Sequence, residues 1–413
     1  MINSRILRRI SCTVIVFVFY LTAAVLAAPA PVLSPEAEAG FVKIMANEKV
    51  TQGLEFIKSD HATTMSDQKA IVAIPAPPFN EKARGEYYLQ RLQALGLSSV
   101  KMDAEGNVYG VRSGSGKGPV LLVEAHLDTV FPAGTNTHPV EKDGKLFAPG
   151  IADDSRGLAA VLSVIRAMNA SGVKTVGDVI FCATVGEEGL GDLRGMKAFF
   201  REHPEVAGSV DVDGTNVSRI TYLATGSHRY EISFKGPGGH SFGAFGLPSA
   251  IHAMGRAIAK IGDVETPQQP KTTFTVGVVS GGTSVNSIAA DAKMLLDMRS
   301  NSQEELLKVE AGILPLIQAA VDEENSRWQS DKTVSAEVKL VGDRPAGSQS
   351  ADHVLIQSAW LATVALGQKP MLTGASSTNA NLPISLGVPA VTIGGGGTDG
   401  RNHSPDEWYD PTE

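Results

Sequence analysis

The chain has 413 residues, 43% of them hydrophobic, and a formal charge of −8. That length exceeds what one hydrophobic core normally organises, so two domains are expected. The acidic balance excludes nucleic acid as a partner, and two cysteines are too few for a disulfide framework.

Arg5, Arg8 and Arg9 precede an apolar run from Val14 to Leu26, which Ala27, Ala28, Pro29 and Ala30 follow. This is the pattern of an exported chain's leader, spanning residues 1–28 and cut near Ala27 or Ala28. The run is short of the roughly 20 residues that span a bilayer, so no stable membrane anchor is expected after cleavage. Cleavage moves the charge from −8 to −11 and leaves Cys182 as the single cysteine. Export without an internal disulfide suits a periplasmic or secreted protein. Cys182 lies in an apolar, strand-like run and reads as a small core residue.

Ser34-Pro35 predicts a capped helix through about Lys49, and Asn80-Glu81 a second through Leu95. Strands are expected at Asn107–Arg112, Val120–Ala125 and Val179–Val185, with a helix at Ser155–Met168 whose apolar residues recur at helical spacing. Ser113 to Gly118 lacks the glycine spacing of a phosphate loop and reads as a hairpin turn. From His228 the rhythm changes: strand Tyr230–Lys235, helix Pro248–Ile261, strands Thr272–Val279 and Ala289–Arg299, helix Gln303–Ala320, strand Val334–Val341. That β-α-β-β-α-β order is a ferredoxin-like unit. Helix Ser350–Gly367 and strand Val388–Ile393 then resume the first style. The expected fold is α/β: a mixed, largely parallel sheet covered by helices (29–227 and 343–413), with the ferredoxin-like unit (228–342) inserted.

Acidic and histidine clusters fall where open α/β sheets place their ligands, at the ends of strand-like runs. They are Glu124-Ala125-His126-Leu127-Asp128, Asp153-Asp154 before a helix, Glu187-Glu188 after a very apolar strand, Asp211-Val212-Asp213, and Asn402-His403-Ser404-Pro405-Asp406-Glu407. A carboxylate two residues from a histidine can orient the imidazole as a metal ligand. One aspartate caps a helix, whereas a second beside it is costly unless a cation compensates. Paired glutamates offer one ligand and one base. Together the clusters suit zinc, cobalt or manganese and hold no thiolate; they are too many for one tetrahedron and enough for two metals sharing an aspartate.

From about residue 66 onward these clusters, in this order, resemble those of the dinuclear-zinc peptidase family that includes peptidase T, glutamate carboxypeptidase, aminoacylase and succinyl-diaminopimelate desuccinylase. The resemblance implies metal ligands at His126, Asp153, Glu188, Asp213 and His403, with Asp153 bridging two divalent ions, most simply zinc. It implies that Asp128 orients His126, that Glu187 is the general base, and that Asp153-Asp154 is a cis peptide. Gly236-Pro237-Gly238-Gly239-His240-Ser241 resembles the family stretch whose histidine reaches across a homodimer, so His240 is expected to stabilise the oxyanion in the neighbour's site. Asn286 and Arg299 are expected to hold substrate, though an ordinary turn Asn and strand-end Arg explain them equally well. The family usually continues with a further helix, whereas this sequence ends at Glu413.

The function expected is hydrolysis of short peptides, since the Gly186 to Gly195 stretch resembles peptidase T. A deacylase of N-acyl amino acids or a carboxypeptidase would use the same site. A two-metal phosphoesterase would need an Arg or Lys cluster by the ligand loops, which the sequence does not show. An inactive peptide-binding homologue would lack the base, and Glu187 is present.

Overall fold

The computed structural model describes residues 30–412. The stretch read as a leader, with its cut near Ala27 or Ala28, lies outside the described residues. Among the described residues no helix is long and apolar enough to cross a membrane.

An eight-stranded sheet runs, in spatial order, Ser98–Met102, Val108–Arg112, Val179–Thr184, Val120–His126, Val206–Val212, Ala390–Ile393, Arg219–Thr221 and Met371–Thr373. Its four central strands are parallel to one another; the strands on either side of them pair antiparallel, and the two strands at the far edge, Arg219–Thr221 and Met371–Thr373, are parallel to each other. Val179–Thr184 is buried at every position. A strand covered on both faces has no solvent side, so it reads as a continuous apolar run. Helix Ser155–Ser171 covers one face, packing Leu158, Val161, Leu162 and Ile165 against Val179 and Phe181. The Asp154 carboxylate caps its start by accepting from Gly157 N at 3.0 Å, and Gly172 ends it in the left-handed region.

The second sheet has the order Thr272–Gly281, Asp291–Ser300, Gly226–Lys235, Ser335–Arg344, with every neighbour antiparallel. Helices Ala250–Gly262 and Gln303–Ser326 pack onto it around Ile232, Phe234, Met294, Leu296, Ile313 and Ile317. The chain order is the expected β-α-β-β-α-β. A small two-stranded ribbon pairs Gly239–His240 with Ser287–Ile288.

Several expectations need correction. The first helix stops at Met45; Asn47 then caps a separate helix, Glu48–Ser59, by accepting from Lys49 N at 3.0 Å. Asn80 caps nothing: helix Lys82–Ala94 starts at Glu81, whose carboxylate accepts from Phe79 N and from Arg194. Ser113 to Gly118 is not a hairpin turn, because Val179–Thr184 pairs with both Val108–Arg112 and Val120–His126 and so lies between them. The glycine loop crosses that gap instead, donating from Ser115 N and Gly116 N to the carbonyls of Thr175 and Val176.

Candidate metal centre

Four chain segments converge at the carboxyl ends of the four central parallel strands, where open α/β sheets bind ligands. His126 ends Val120–His126, Glu187 and Glu188 follow Val179–Thr184, and Asp213 follows Val206–Val212. His403 arrives through the glycines after Ala390–Ile393. Gly394 must be a glycine, since a Cβ there would lie 2.5 Å from the backbone of Thr215 and Asn216.

Asp153 lies at the middle of this convergence. Its Oδ1 is 3.0 Å from His126 Nε2 and its Oδ2 is 3.0 Å from His403 Nε2. His403 Nε2 is also 3.0 Å from Glu188 Oε1. Three groups of three donors result: His126, Asp153 and Asp213 on one side, Asp153, Glu188 and His403 on the other, and His126, Glu187 and Glu188 between them; within each, the donor atoms lie within 4.8 Å of one another. The Asp153-Asp154 peptide is cis, as the resemblance implies.

The electrostatics are those of a site built for cations. Burial, reinforced by Asp153 and Asp211, pushes the Asp213 carboxyl well above its ordinary range. Burial opposes charge on Asp153 too, but His126 and His403 hold its carboxyl far below that range. Hydrogen bonds to Asp153 and Glu188 raise the His403 imidazole to about 10. Burial opposes charge on His126, yet its contacts with Asp128 and Asp153 raise it well above its usual value. Protons on the imidazoles thus partly compensate the clustered acids.

Asp128 meets the site through both its carbonyl and its carboxylate. It is the Asp128 carbonyl that lies 3.0 Å from His126 Nδ1, while its nearest carboxylate oxygen is 3.7 Å away. That carboxylate accepts from Glu187 N at 3.1 Å and Glu188 N at 2.8 Å, fixing the loop that presents both glutamates. Glu187 is nearly buried, which pushes its carboxyl up to about 7 against the opposing charge of Arg344, 3.0 Å away.

Sequence reasoning missed Arg344 and Glu407. Arg344 ends the last strand of the second sheet, 157 residues from its partner, and no local spacing marks it. Glu407 lies inside the His403 cluster, but only the fold reveals its task. Its carboxylate accepts from the backbone nitrogens of Gly150, Ala152 and Asp153 at 2.9 to 3.1 Å, clamping the loop that carries Asp153.

Residues 122–413 match the model of peptidase family M20/M25/M40. The chain belongs to that family. Carboxypeptidase G2 of Pseudomonas sp. is 23% identical over 329 residues, 77% of this chain and 72% of that protein. The N-formyl-4-amino-5-aminomethyl-2-methylpyrimidine deformylase of Bacillus subtilis is 26% identical over 275 residues, 58% of this chain and 63% of that protein. A Staphylococcus aureus tripeptidase structure superposes with a TM-score of 0.70 at 22% identity, covering 85% of this chain and 93% of that one. Membership makes the chain a hydrolase, and its clustered donors fit the metal dependence of a metallohydrolase of the M20 family.

A cavity of about 200 Å³ opens onto the donors and is also lined by Arg229, Arg299, Arg344 and Ser377. Arg299 therefore lines the cavity at the donors. His240 and Asn286 do not line this cavity. They sit together on the small ribbon: Ser241 N donates to the Asn286 carbonyl, and His240 Nδ1 accepts from Phe242 N and Gly243 N at 3.2 Å.

Proposed function

We propose that this chain hydrolyses the amide bond of short peptides, using two divalent cations. His126, Asp153 and Asp213 would hold one, and Asp153, Glu188 and His403 the other. One observation carries the reading: two of the three donor groups share a single carboxylate, Asp153, and the third brings a further buried carboxyl, Glu187, against His126 and Glu188. Three carboxylates and two imidazoles without a thiolate suit zinc, with cobalt or manganese as the nearest substitutes. Cations bound there supply Lewis acidity to the scissile carbonyl and acidify water at the centre.

The chain's own residues do the rest. Glu187 takes the proton of the attacking water and returns it to the leaving nitrogen, a cycle that needs a carboxylate of near-neutral pKa. Arg344 steadies the ionised form of Glu187, and Asp128 holds its backbone. Arg299 receives a substrate carboxylate through its paired guanidinium donors. His240 and Asn286, absent from their own chain's cavity, act on the site of a second copy in a homodimer, where His240 steadies the oxyanion. The leader-like pattern of residues 1–28 supports export to a periplasm or the medium.

Arg299, which lines the cavity and spends only its Nε on Asp297, also favours substrates with a free carboxylate, so an N-acyl amino acid or the carboxyl end of a peptide is the second reading. Amine release from a panel of dipeptides, tripeptides and N-acyl amino acids by zinc-loaded protein decides between them. Cleavage of free-amino tripeptides alone supports an aminopeptidase, and cleavage of blocked substrates a carboxypeptidase or deacylase. If nothing in the panel is cut, the hydrolytic proposal fails and a peptide-binding role replaces it.

A further inference from the structure

The cavity at the metal centre borders another. A second cavity of about 290 Å³ shares Arg299 and Ser377 with the first. Lys271 lines it together with the hydroxyl-bearing Thr225, Thr273 and Ser376, and no carboxylate does. The two cations come from paired strands: Thr273 lies directly opposite Arg299, and Lys271 directly precedes the strand that starts at Thr272.

The cations around the two cavities differ in what remains free. Arg344 is committed to Glu187. Arg229 donates its Nε to Asp297 at 3.0 Å and a terminal nitrogen to the Gly189 carbonyl. Arg299 uses its Nε on Asp297 at 2.7 Å, and among the described residues its two terminal nitrogens have no partner. Lys271 forms no salt bridge among the described residues, and it faces the second cavity alone. A pocket with two available cations, several hydroxyls and no acid recognises an anion. Arg299 borders both cavities and can meet a carboxylate close to the scissile bond; Lys271 can only meet a group carried farther out.

We propose that the second cavity is a subsite for a side-chain carboxylate, and that the preferred substrates are amides of aspartate or glutamate. The inference rests on the amide-hydrolase reading above. Lys271 sets the preference and takes no part in bond cleavage.

The test compares substrates that differ only in that charge, Ala-Glu against Ala-Gln and N-acetyl-glutamate against N-acetyl-glutamine. The zinc-loaded wild type, Lys271→Glu and Lys271→Arg are measured in parallel. The wild-type kcat/KM ratio should favour the acidic member by about tenfold, the size of one charge-assisted hydrogen bond. Lys271→Glu should collapse that ratio through KM, and Lys271→Arg should keep it. A wild-type ratio near one, or a ratio that Lys271→Glu leaves unchanged, overturns the subsite. If no amide is cut at all, calorimetry with glutarate still separates the two failures. Glutarate binding that Lys271→Glu weakens about tenfold keeps the subsite while the hydrolytic reading falls; no binding, or binding indifferent to Lys271, overturns the subsite too.

Discussion

The two donor groups meet at Asp153 but are built differently. In the inner one, His126 and Asp213 terminate adjacent parallel strands. The His126 side chain is 1% exposed, with its second ring nitrogen against the Asp128 carbonyl. Asp213 is pinned at its backbone, its nitrogen donating to the Ile393 carbonyl and its own carbonyl accepting from Arg219. In the outer one, His403 sits in a loop at φ 62°, and its side chain is 54% exposed. Its only side-chain hydrogen-bonding or ionic contacts among the described residues are with Asp153 and Glu188. A ligand fixed by its neighbours keeps its geometry when the cation leaves, whereas one held through the centre does not. On the proposed reading the sheet preforms the inner half, and the outer half would be completed on loading.

The change expected to do most damage removes what the halves share. Asp153→Ala should abolish stoichiometric binding of both cations and lower turnover by roughly 10³-fold, the several kcal/mol that metal polarisation contributes. Metal analysis after gel filtration reads it; a variant that still holds both would remove Asp153 from the bridging place. Glu187→Gln should do the opposite to content and nearly the same to rate. Both cations stay bound while kcat falls by roughly 10² to 10⁴-fold, and substantial residual turnover would deprive Glu187 of the base role.

The halves themselves separate in His403→Ala. The expected outcome is loss of the outer cation and retention of about one equivalent in the inner group, measured by chelator titration. Equal loss from both halves would erase the distinction drawn above. Protons sharpen it further. Contacts with carboxylates raise the imidazoles of both His126 and His403, the latter to about 10, so both carry protons at neutral pH before loading. A protonated ligand cannot coordinate, so loading near pH 7 should release at least the two imidazole protons, together with any that the raised Asp213 carboxyl still holds, and affinity should climb as pH rises. Calorimetry in buffers of different ionisation enthalpy counts them. Release of about one proton would mean that one imidazole is already free to ligate.

The donors that follow strands, His126, Glu188 and Asp213, were more legible in sequence than His403 in its loop. Carboxylates that directly follow an apolar run are anomalous wherever they occur, and the runs at Val120 and Val179 are unmistakable strands. What could not be read is what supports them from a distance. Arg344 and Glu407 reach their partners across 157 and more than 250 residues. Helix His61–Val72 went unread because its buried face is largely polar: Thr64, Asp67 and Gln68 are buried there, and Asp67 pairs with Arg91 and Arg166. A periodicity argument sees only apolar burial, and this helix is held by ions. The ligand residues themselves came from the family resemblance, since spacing alone left a capping reading open for Asp154. That reading is also correct, because Asp154 caps its helix and accepts from His126 N as well.

The smallest effect should come from Arg344, which touches the base and neither donor group. Burial raises the Glu187 carboxyl to about 7, and the Arg344 guanidinium is the largest influence pulling it down. The ionised form is the working one, so activity should rise with pH through this ionisation, at whatever value the loaded cations set. Arg344→Met removes the opposing charge and moves that rise to higher pH by about one unit, the low end of what one neighbouring cation exerts on a carboxylate. Cation content and the plateau rate above the transition should change far less than in Glu187→Gln. The pH profile of kcat/KM checks it: a limb that stays in place would mean that solvent or the cations already screen the pair. A limb that moves to lower pH would contradict the direction of the charge and place the active base elsewhere than Glu187.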